Sequence, residues 1–438
     1  MILEGCSIIG SSVHVRLPDN GHTGKPRDRA GAGGSSQGGS DLSPVACRGT
    51  SVVMVAPSLT EIKSTRNVPA GIQEIDLNVA LLLSEKVHVT ILSPYYPPYK
   101  KETKVGSVRI CYVRYPSMSG HFGKRLEILA STATGLVYAF LAMIRVVGLT
   151  RSRGTTVVFS DKSSGLLAAL AARLMGRRTV FSEGNAYPWY ISPGFAPTPG
   201  SRLWNVTTGL LACKVGNSVR AQSAAIRTGM MSLGVPPKKI QVISAGVDTT
   251  EFNPDIKSVE GHPGIVVGYF GRIAPEKGSG LLLETLRRAS QLGVQAKFLI
   301  VGDGFPLRGL AGMSNVEFQR TARRRVLPQV MSNCDFFLAP HPDLSLTVLQ
   351  EMALGKPVIA LNSRDVRAAI HNMVNGVLVE GDPDSFCKSI ELLSGDGDLR
   401  ASLGHNARQS ILERFSWAVI RDQWISLVLP NEEGCNGQ

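Results

Sequence analysis

Two acids eight residues apart, Asp343 and Glu351, enclose a short apolar-patterned run. That run stops at Gly355–Lys356–Pro357 and passes directly into Val358–Ile359–Ala360. Asp343, Thr347 and Glu351 are spaced by four, so they share one face if a helix begins near Asp343, with Val348, Leu349, Met352 and Ala353 on its buried side. Such a face offers two carboxylates and a hydroxyl beside a helix N-terminus, whose unpaired N–H groups and positive dipole end suit a phosphate. Acids for hydroxyls and amides for phosphates point to a sugar nucleotide. The plainer alternative is an amphipathic helix with two surface acids. Upstream, GRIAPEKG (271–278) places Arg272 and Lys277 in a strand-to-helix loop opened by Gly271. Two cations beside a helix N-terminus can neutralise a departing diphosphate without a metal ion; the alternative for them is simple surface solvation.

The elements that must position these groups alternate in a regular way. Short apolar runs at 52–56, 87–92, 108–115, 157–160, 179–183 and 241–244 are separated by segments of helical spacing at 72–84, 126–149, 165–175, 209–217 and 221–233. After a turn-rich connector, AGVDTTEFNPD (245–255), the rhythm restarts. Strands are expected at 265–271, 297–304, 316–319, 335–340, 357–360 and 376–380, and helices at 280–292, 328–334, 345–354, 384–393 and 399–415. This pattern predicts an α/β protein of two Rossmann-like doubly wound domains with parallel sheets covered on both faces. The expected boundaries are 51–245 and 246–415, with 416–438 as a final helix and tail. Residues 1–50 form an extension whose Gly-, Ser-, Asp- and Arg-rich part, 18–50, reads as disordered. An over-extended start, with Met54 or another downstream start used instead, is a second reading of that stretch. Ligands of such a fold are expected in the cleft between the halves, at the carboxyl ends of the strands.

Strand ends of the first half supply further candidates. Gly71, after the first strand, either lets the backbone approach a phosphate or makes a plain turn. SDKSSG (160–165) and SEGNAY (182–187) face the same cleft, which makes Asp161 and Glu183 candidate general-base or acceptor-contacting carboxylates, against the alternative of strand-end surface acids. VGDG (301–304) reads as a tight turn, with Asp303 outside the site.

Charge is distributed unevenly. The chain carries +13 overall, yet residues 100–230 alone hold 18 Lys and Arg against 4 Asp and Glu, a balance of +14. The basic first half suggests an anionic partner, such as an acidic lipid surface or a polyprenyl phosphate, against the alternative of generic solubility. No aromatic-studded basic sheet is visible, so nucleic acid is not an expected partner. Seven scattered cysteines (6, 47, 111, 213, 334, 387, 435) form no CxxC pair and no metal-ligand spacing. They read as reduced thiols of a cytoplasmic protein with no structural zinc. Glu4 and the lack of a basic n-region argue against a secretory signal. The most apolar segment, Thr132–Leu149, is short and interrupted by Arg145, which suits a sheet-covering helix or peripheral contact with the inner face of the membrane better than a span.

The second half resembles a retaining GT-B glycosyltransferase of family 4, the group 1 type. The resemblance rests on AGVD…FNP (245–254), GRIAPEKG (271–278), VGDG (301–304), CDFFLAP (334–340), DLSLTVLQEMALGKPVIA (343–360), NGVLVEGDPDSF (375–386) and ERFSW (413–417), in family order. It covers roughly residues 51–425, with weaker motifs in the first half. It implies two domains facing a cleft, a last helix crossing back onto the first domain, and a hinge near 245–262 and 415–420. It further implies metal-independent transfer of a sugar from a nucleoside diphosphate, with retention at the anomeric carbon and no cofactor beyond the donor. Arg272 and Lys277 fall on the family's diphosphate pair, and Glu351 on the acid that meets ribose hydroxyls. Asp343 falls on the acid that faces the donor sugar, and Leu346 and Thr347 fall where backbone amides reach phosphates. Several positions depart from the pattern. The first acid is Asp rather than Glu, Ser345–Leu346 replaces Phe–Gly, and Ser160–Asp161 and Glu183–Gly184 stand where histidine is common. The double glycine near the first helix is reduced to Ala70–Gly71.

The leading expectation is therefore a glycosyltransferase acting on a lipid-linked, saccharide or small-molecule acceptor. A catalytically silent nucleotide-sugar-binding protein is the alternative the missing histidines motivate. A phosphorylase or epimerase is a third reading.

Overall fold

The computed structural model describes residues 50–56, 72–95, 102–114, 124–152, 154–160, 162, 165–189, 197–256, 264–304, 313–320 and 326–429, with the backbone alone at 72, 95, 114 and 124–134. Gly71, Asp161 and most of the expected 1–50 extension lie outside these residues.

The first sheet contains β1 (Ser51–Val55), β2 (His88–Tyr95), β3 (Glu102–Val105), β4 (Val108–Arg114), β5 (Thr155–Phe159), β6 (Arg178–Glu183), β7 (Ser218–Ala221) and β8 (Ile240–Val242). Its strand order is β3-β4-β2-β1-β5-β6-β7-β8, parallel except for β3. Strands β1 and β5 are buried along nearly their whole length, which is why they read as continuous apolar runs rather than alternating ones. The antiparallel β3 is absent from the sequence reading. Its residues ETKV carry two charges, and only the Gly106–Ser107 turn, with Gly106 at φ +57, marks the hairpin.

Five helices cover this sheet: α1 (Ile72–Ser84), α2 (Lys124–Leu149), α3 (Gly165–Leu174), α4 (Pro199–Val215) and α5 (Ala224–Ser232). One face packs on α1. The other packs on α2 through α5, with Tyr138, Ala142 and Val146 of α2 and Ala168, Ala169 and Ala172 of α3 in the same core as Val157 and Phe159. Helix α4 starts ten residues before its expected position. Thr198 caps it and Pro199 occupies the first turn, a start signal that apolar periodicity alone does not show.

The second sheet is wholly parallel, in the order β11-β10-β9-β12-β13-β14. Its strands are β9 (Ile265–Phe270), β10 (Ala296–Val301), β11 (Val316–Gln319), β12 (Phe336–Ala339), β13 (Val358–Leu361) and β14 (Val377–Val379). The order reverses between β9 and β12, so the loops after these two strands flank the crevice where doubly wound sheets take ligands. Helices α6 (Ser279–Leu292), α7 (Leu327–Ser332), α8 (Leu346–Ala353), α9 (Pro383–Gly395) and α10 (Gly397–Arg414) accompany this sheet.

The last helix, α11 (Trp417–Val428), returns to the first half as expected. Arg421 pairs with Glu85 at 2.6 Å, Arg178 donates to the Leu427 carbonyl at 2.9 Å, and the Arg220 guanidinium lies 5.3 Å from the Trp424 ring centre. The two chain crossings between halves run side by side: Val247 N–H donates to Phe415 C=O at 2.8 Å and Trp417 N–H to Val247 C=O at 3.2 Å.

Candidate active site

A cavity of about 400 Å³ lies between the two halves. Arg272, Glu276, Lys277, Asp343, Ser345, Leu346 and Asp365 line it from the second half, and Lys162, residues 184–187 and Asn205 from the first.

The loop after β9 carries the two cations. Tyr269, the last but one residue of β9, is buried, and its hydroxyl donates to the Arg272 carbonyl at 3.0 Å, fixing the start of the loop. Gly278 closes the following turn at φ +70, and a Cβ there would collide with the Pro340 carbonyl. Only glycine lets this loop press on the loop after β12. The two loops also share a charge pair, Lys277 Nζ to Asp343 Oδ2 at 3.5 Å. Arg272 is largely exposed and meets Glu276 at 2.9 Å. Gly271 sits behind the cavity wall, its N–H bonded to the Val301 carbonyl at 3.0 Å.

Asp343 is not on a helix. Helix α8 begins at Leu346, with Ser345 as its cap accepting from Val348 N–H at 3.3 Å. The expectation that Asp343, Thr347 and Glu351 share a helical face fails for Asp343. Asp and Ser cap helices about equally well, and here Asp343 faces Lys277 while Ser345 takes the cap. The outcome still leaves the amides of Leu346 and Thr347 at the free end of α8, where no earlier turn can supply carbonyls.

Two carboxylates of this half have unmet oxygens. Asp343 Oδ1 and Glu351 Oε2 are buried without a hydrogen-bond partner among the described residues. Burial raises the Asp343 pKa despite Lys277, and burial raises that of Glu351 well above the usual carboxylate range. A buried acceptor left unmet costs about 1–3 kcal/mol; of the two, only Asp343 lines the cavity, where a donor from outside the chain can meet it, whereas Glu351 is buried in α8 and, like Thr347, is not part of the lining. His341, between them and the strand, is held neutral: burial first, then the Lys277 charge, lowers its pKa to about 3.

On the first-half wall the polar groups are already engaged. Glu183 does not line the cavity. Its oxygens accept from Lys162 Nζ at 2.8 Å, Trp189 Nε1 at 2.8 Å and Asn185 N–H at 3.0 Å. The sequence reading of Glu183 as an available base meets this geometry: both oxygens of the buried carboxylate are taken by donors, which hold Lys162 and the 184–189 loop in place. Ser160 likewise donates to buried Asp76 at 2.7 Å. Asp303 does not line the cavity; in place of the expected tight turn, residues 302–304 run on past β10 and Gly304 bridges to Ile273, whose N–H donates to the Asp303 carbonyl at 2.9 Å.

Sequence reasoning missed three contributors. Lys162 lies in the noted SDKSSG turn but was passed over for the acid beside it. Asp365 reaches across the cleft and accepts from Ser223 Oγ at 2.7 Å and Ala225 N–H at 3.0 Å, capping α5 from the opposite half. Gln350 of α8 donates to Glu74 of α1 at 3.2 Å. Neither cross-cleft pair has a local sequence signal.

Comparison with known proteins places this geometry among relatives. Residues 264–396 match the family model described as glycosyl transferases group 1. The D-inositol 3-phosphate glycosyltransferase of Jonesia denitrificans is 26% identical over 265 residues, covering 52% of this chain and 59% of the relative. The Escherichia coli UDP-Gal:alpha-D-GlcNAc-diphosphoundecaprenol alpha-1,3-galactosyltransferase is 27% identical over 222 residues, covering 45% of this chain and 57% of the relative. The matched segment therefore spans less than two thirds of either. Among solved structures, Anabaena HepE in complex with UDP-glucose superposes with a TM-score of 0.62 at 18% identity, covering 85% of this chain and 98% of that one. That likeness establishes the GT-B fold: two facing Rossmann-like units with a returning C-terminal helix.

Proposed function

We propose that this protein is a glycosyltransferase that moves a sugar from a nucleoside diphosphate to an acceptor hydroxyl, with retention and without a metal ion. The observation that carries the reading is the meeting of Asp343, one of whose buried oxygens is unmet, with Arg272 and Lys277 in one cavity at the switch point of the second sheet. The match of residues 264–396 to group 1 glycosyl transferases supports it.

In this reading the diphosphate sits against Arg272, Lys277 and the first amides of α8. Glu351 accepts from ribose hydroxyls and Asp343 from a hydroxyl of the sugar. The bond from the anomeric carbon to the diphosphate breaks, and its electron pair leaves with the phosphate oxygen. Fixed cations and amides stabilise that charge without reorganising. The acceptor oxygen bonds on the face the phosphate leaves, and its proton passes to the departing phosphate oxygen, which replaces the base that Glu183 does not supply. The cations do the work a divalent ion would otherwise do, so none is required.

One observation favours the silent-binder alternative: Glu183 and Ser160, at the acceptor side, are both internally satisfied. The two readings separate in one experiment. A thermal-shift panel of UDP-, GDP- and ADP-sugars identifies the donor, and release of its nucleoside diphosphate is then measured with a cell-lipid and saccharide acceptor panel. Turnover that disappears in Lys277→Ala supports the transferase. Binding without release on any acceptor leaves the silent binder.

A further inference from the structure

The outer side of the helical layer α2–α3–α4 is apolar and cationic. On α2, Leu136, Phe140, Ile144 and Val147 are 58%, 53%, 49% and 40% exposed. Their spacing of four, four and three places them on one stripe, opposite the buried Tyr138, Ala142 and Val146. Helix α4 repeats the arrangement with Leu203 and Trp204, 66% and 57% exposed, and Leu174 at the end of α3 is 81% exposed. A run of large exposed side chains across three adjacent helices is unusual on a surface that faces only water. The sequence alone had allowed α2 to be simply a sheet-covering helix. It does cover the sheet, and it leaves its second face apolar.

Charge decides between occupants. The exposed charged side chains described on these helices are Arg145, Arg173, Arg202 and Lys214, with no carboxylate among them; Lys214 shares the side of Leu203 on α4, whereas Arg145 turns from the α2 stripe toward Glu102 of β3. Two copies of a face that has basic and no acidic side chains gain no ion pair from meeting. An anionic bilayer attracts it, at about 1 kcal/mol for each basic residue near the surface, while Trp and Leu enter the interface and Arg and Lys reach the headgroups. Among the described residues no helix is long and apolar enough to cross a membrane, so the contact is peripheral.

The same layer touches the cavity. Asn205, next to Trp204 on α4, lines it together with residues 184–187. We infer that α2, α3 and α4 seat the protein on an anionic lipid surface, and that the acceptor is a lipid-anchored hydroxyl compound entering the cleft past the first turns of α4. The acceptor clause rests on the transferase reading above; the docking clause does not.

Flotation with phosphatidylcholine vesicles, with and without phosphatidylglycerol, tests the docking. The full chain should bind only the anionic vesicles and release as salt rises. The Leu203→Ser/Trp204→Ser variant, altered only at exposed positions, should lose about tenfold or more in binding. Lys214→Glu should lose at least about fivefold, one basic contact's worth. Equal binding to both vesicle types, no binding at low salt, or a dimer in sedimentation that Leu203→Ser/Trp204→Ser dissolves would each overturn it. Donor affinity by calorimetry without lipid should be unchanged in these variants. If Lys277→Ala binds donor normally while vesicle binding stands, the transferase reading fails and the docking survives. For the acceptor clause, turnover on lipid extract in anionic vesicles should fall in Leu203→Ser/Trp204→Ser. Undiminished turnover there, or full turnover on water-soluble sugars alone, would refute it.

Discussion

Replacing Glu351 by Met should make the free protein more stable and the nucleotide complex weaker. The side chain is buried in α8, and one of its oxygens has no hydrogen-bond partner among the described residues. Burial alone raises its pKa well above the ordinary 4.5. Below pH 4.5 the carboxyl is protonated in both the folded and unfolded chain. Above it the unfolded chain ionises first, so the folded state binds the extra proton, and stability is lost as pH rises until the folded pKa is passed. Methionine is of similar length and has no acceptor to satisfy. It should return about 1–3 kcal/mol, the cost of the unmet group, with a larger gain at pH 8 than at pH 5. The same change removes a charge-assisted bond to ribose, worth about 1.5–3 kcal/mol, or about 10- to 160-fold in nucleotide affinity. Urea unfolding at the two pH values reads the first effect, and calorimetry with the nucleoside diphosphate of the identified donor reads the second. A destabilised variant with unaltered nucleotide affinity would refute both the electrostatic argument and the ribose assignment.

Other expectations can be checked beside it. Lys277→Ala should weaken donor binding and abolish turnover in a coupled diphosphate-release assay; wild-type rates would remove Lys277 from the phosphate site. EDTA should leave turnover unchanged, whereas a strict need for Mg²⁺ or Mn²⁺ would contradict charge neutralisation by Arg272 and Lys277. Asp76, fully buried, has its pKa raised from 3.8 to about 7 by burial, against the Ser160 hydrogen bond and the Arg220 charge. Its contribution to stability should fall as pH rises from about 4 to about 7, by at most about 4 kcal/mol. The stabilising effect of Asp76→Asn should therefore grow across that window in urea melts, and a pH-independent difference would refute the shift.

The second-half side of the cleft was legible because its parts are local. Parallel strands buried on both faces leave continuous apolar runs, and the cations and acids follow within a few residues of strand ends. Arg272, Lys277, Asp343 and Leu346 do line one cavity, and the second sheet has the reversal point that the alternating pattern implies. The first-half side was not legible, because its geometry depends on pairings between distant positions. Glu183 reads in the chain as a free strand-end acid. Only the fold brings Lys162, 21 residues away in sequence, onto it. Asp365 and Ser223 are 142 positions apart, and no periodicity links them. Helix α8 shows the finer limit: two good capping residues lie two positions apart, and a tertiary contact of Asp343 with Lys277 decides which one starts the helix.

The two walls of the cleft are thus in different states of readiness. The second-half wall keeps one Asp343 oxygen unmet and Arg272 and Lys277 partly exposed, so under the proposed function a nucleotide sugar is received there with little rearrangement. On the first-half wall, Lys162 is held by Glu183 and by the Tyr187 carbonyl at 3.2 Å, and its ammonium lies 5.8 Å from the Trp189 ring centre. A ligand that recruits Lys162 must therefore compete with a buried ion pair, and taking one partner from such a pair leaves the other charge buried and unpaired at a cost of several kcal/mol. Meanwhile Asp365 on Ser223 and Gln350 on Glu74 tie the walls together across the gap. Widening the cleft breaks these two polar links, whereas the core around α8 and α11 is packed continuously. If the halves move, the lowest-cost motion pivots about the paired crossings at Val247 and Ser416.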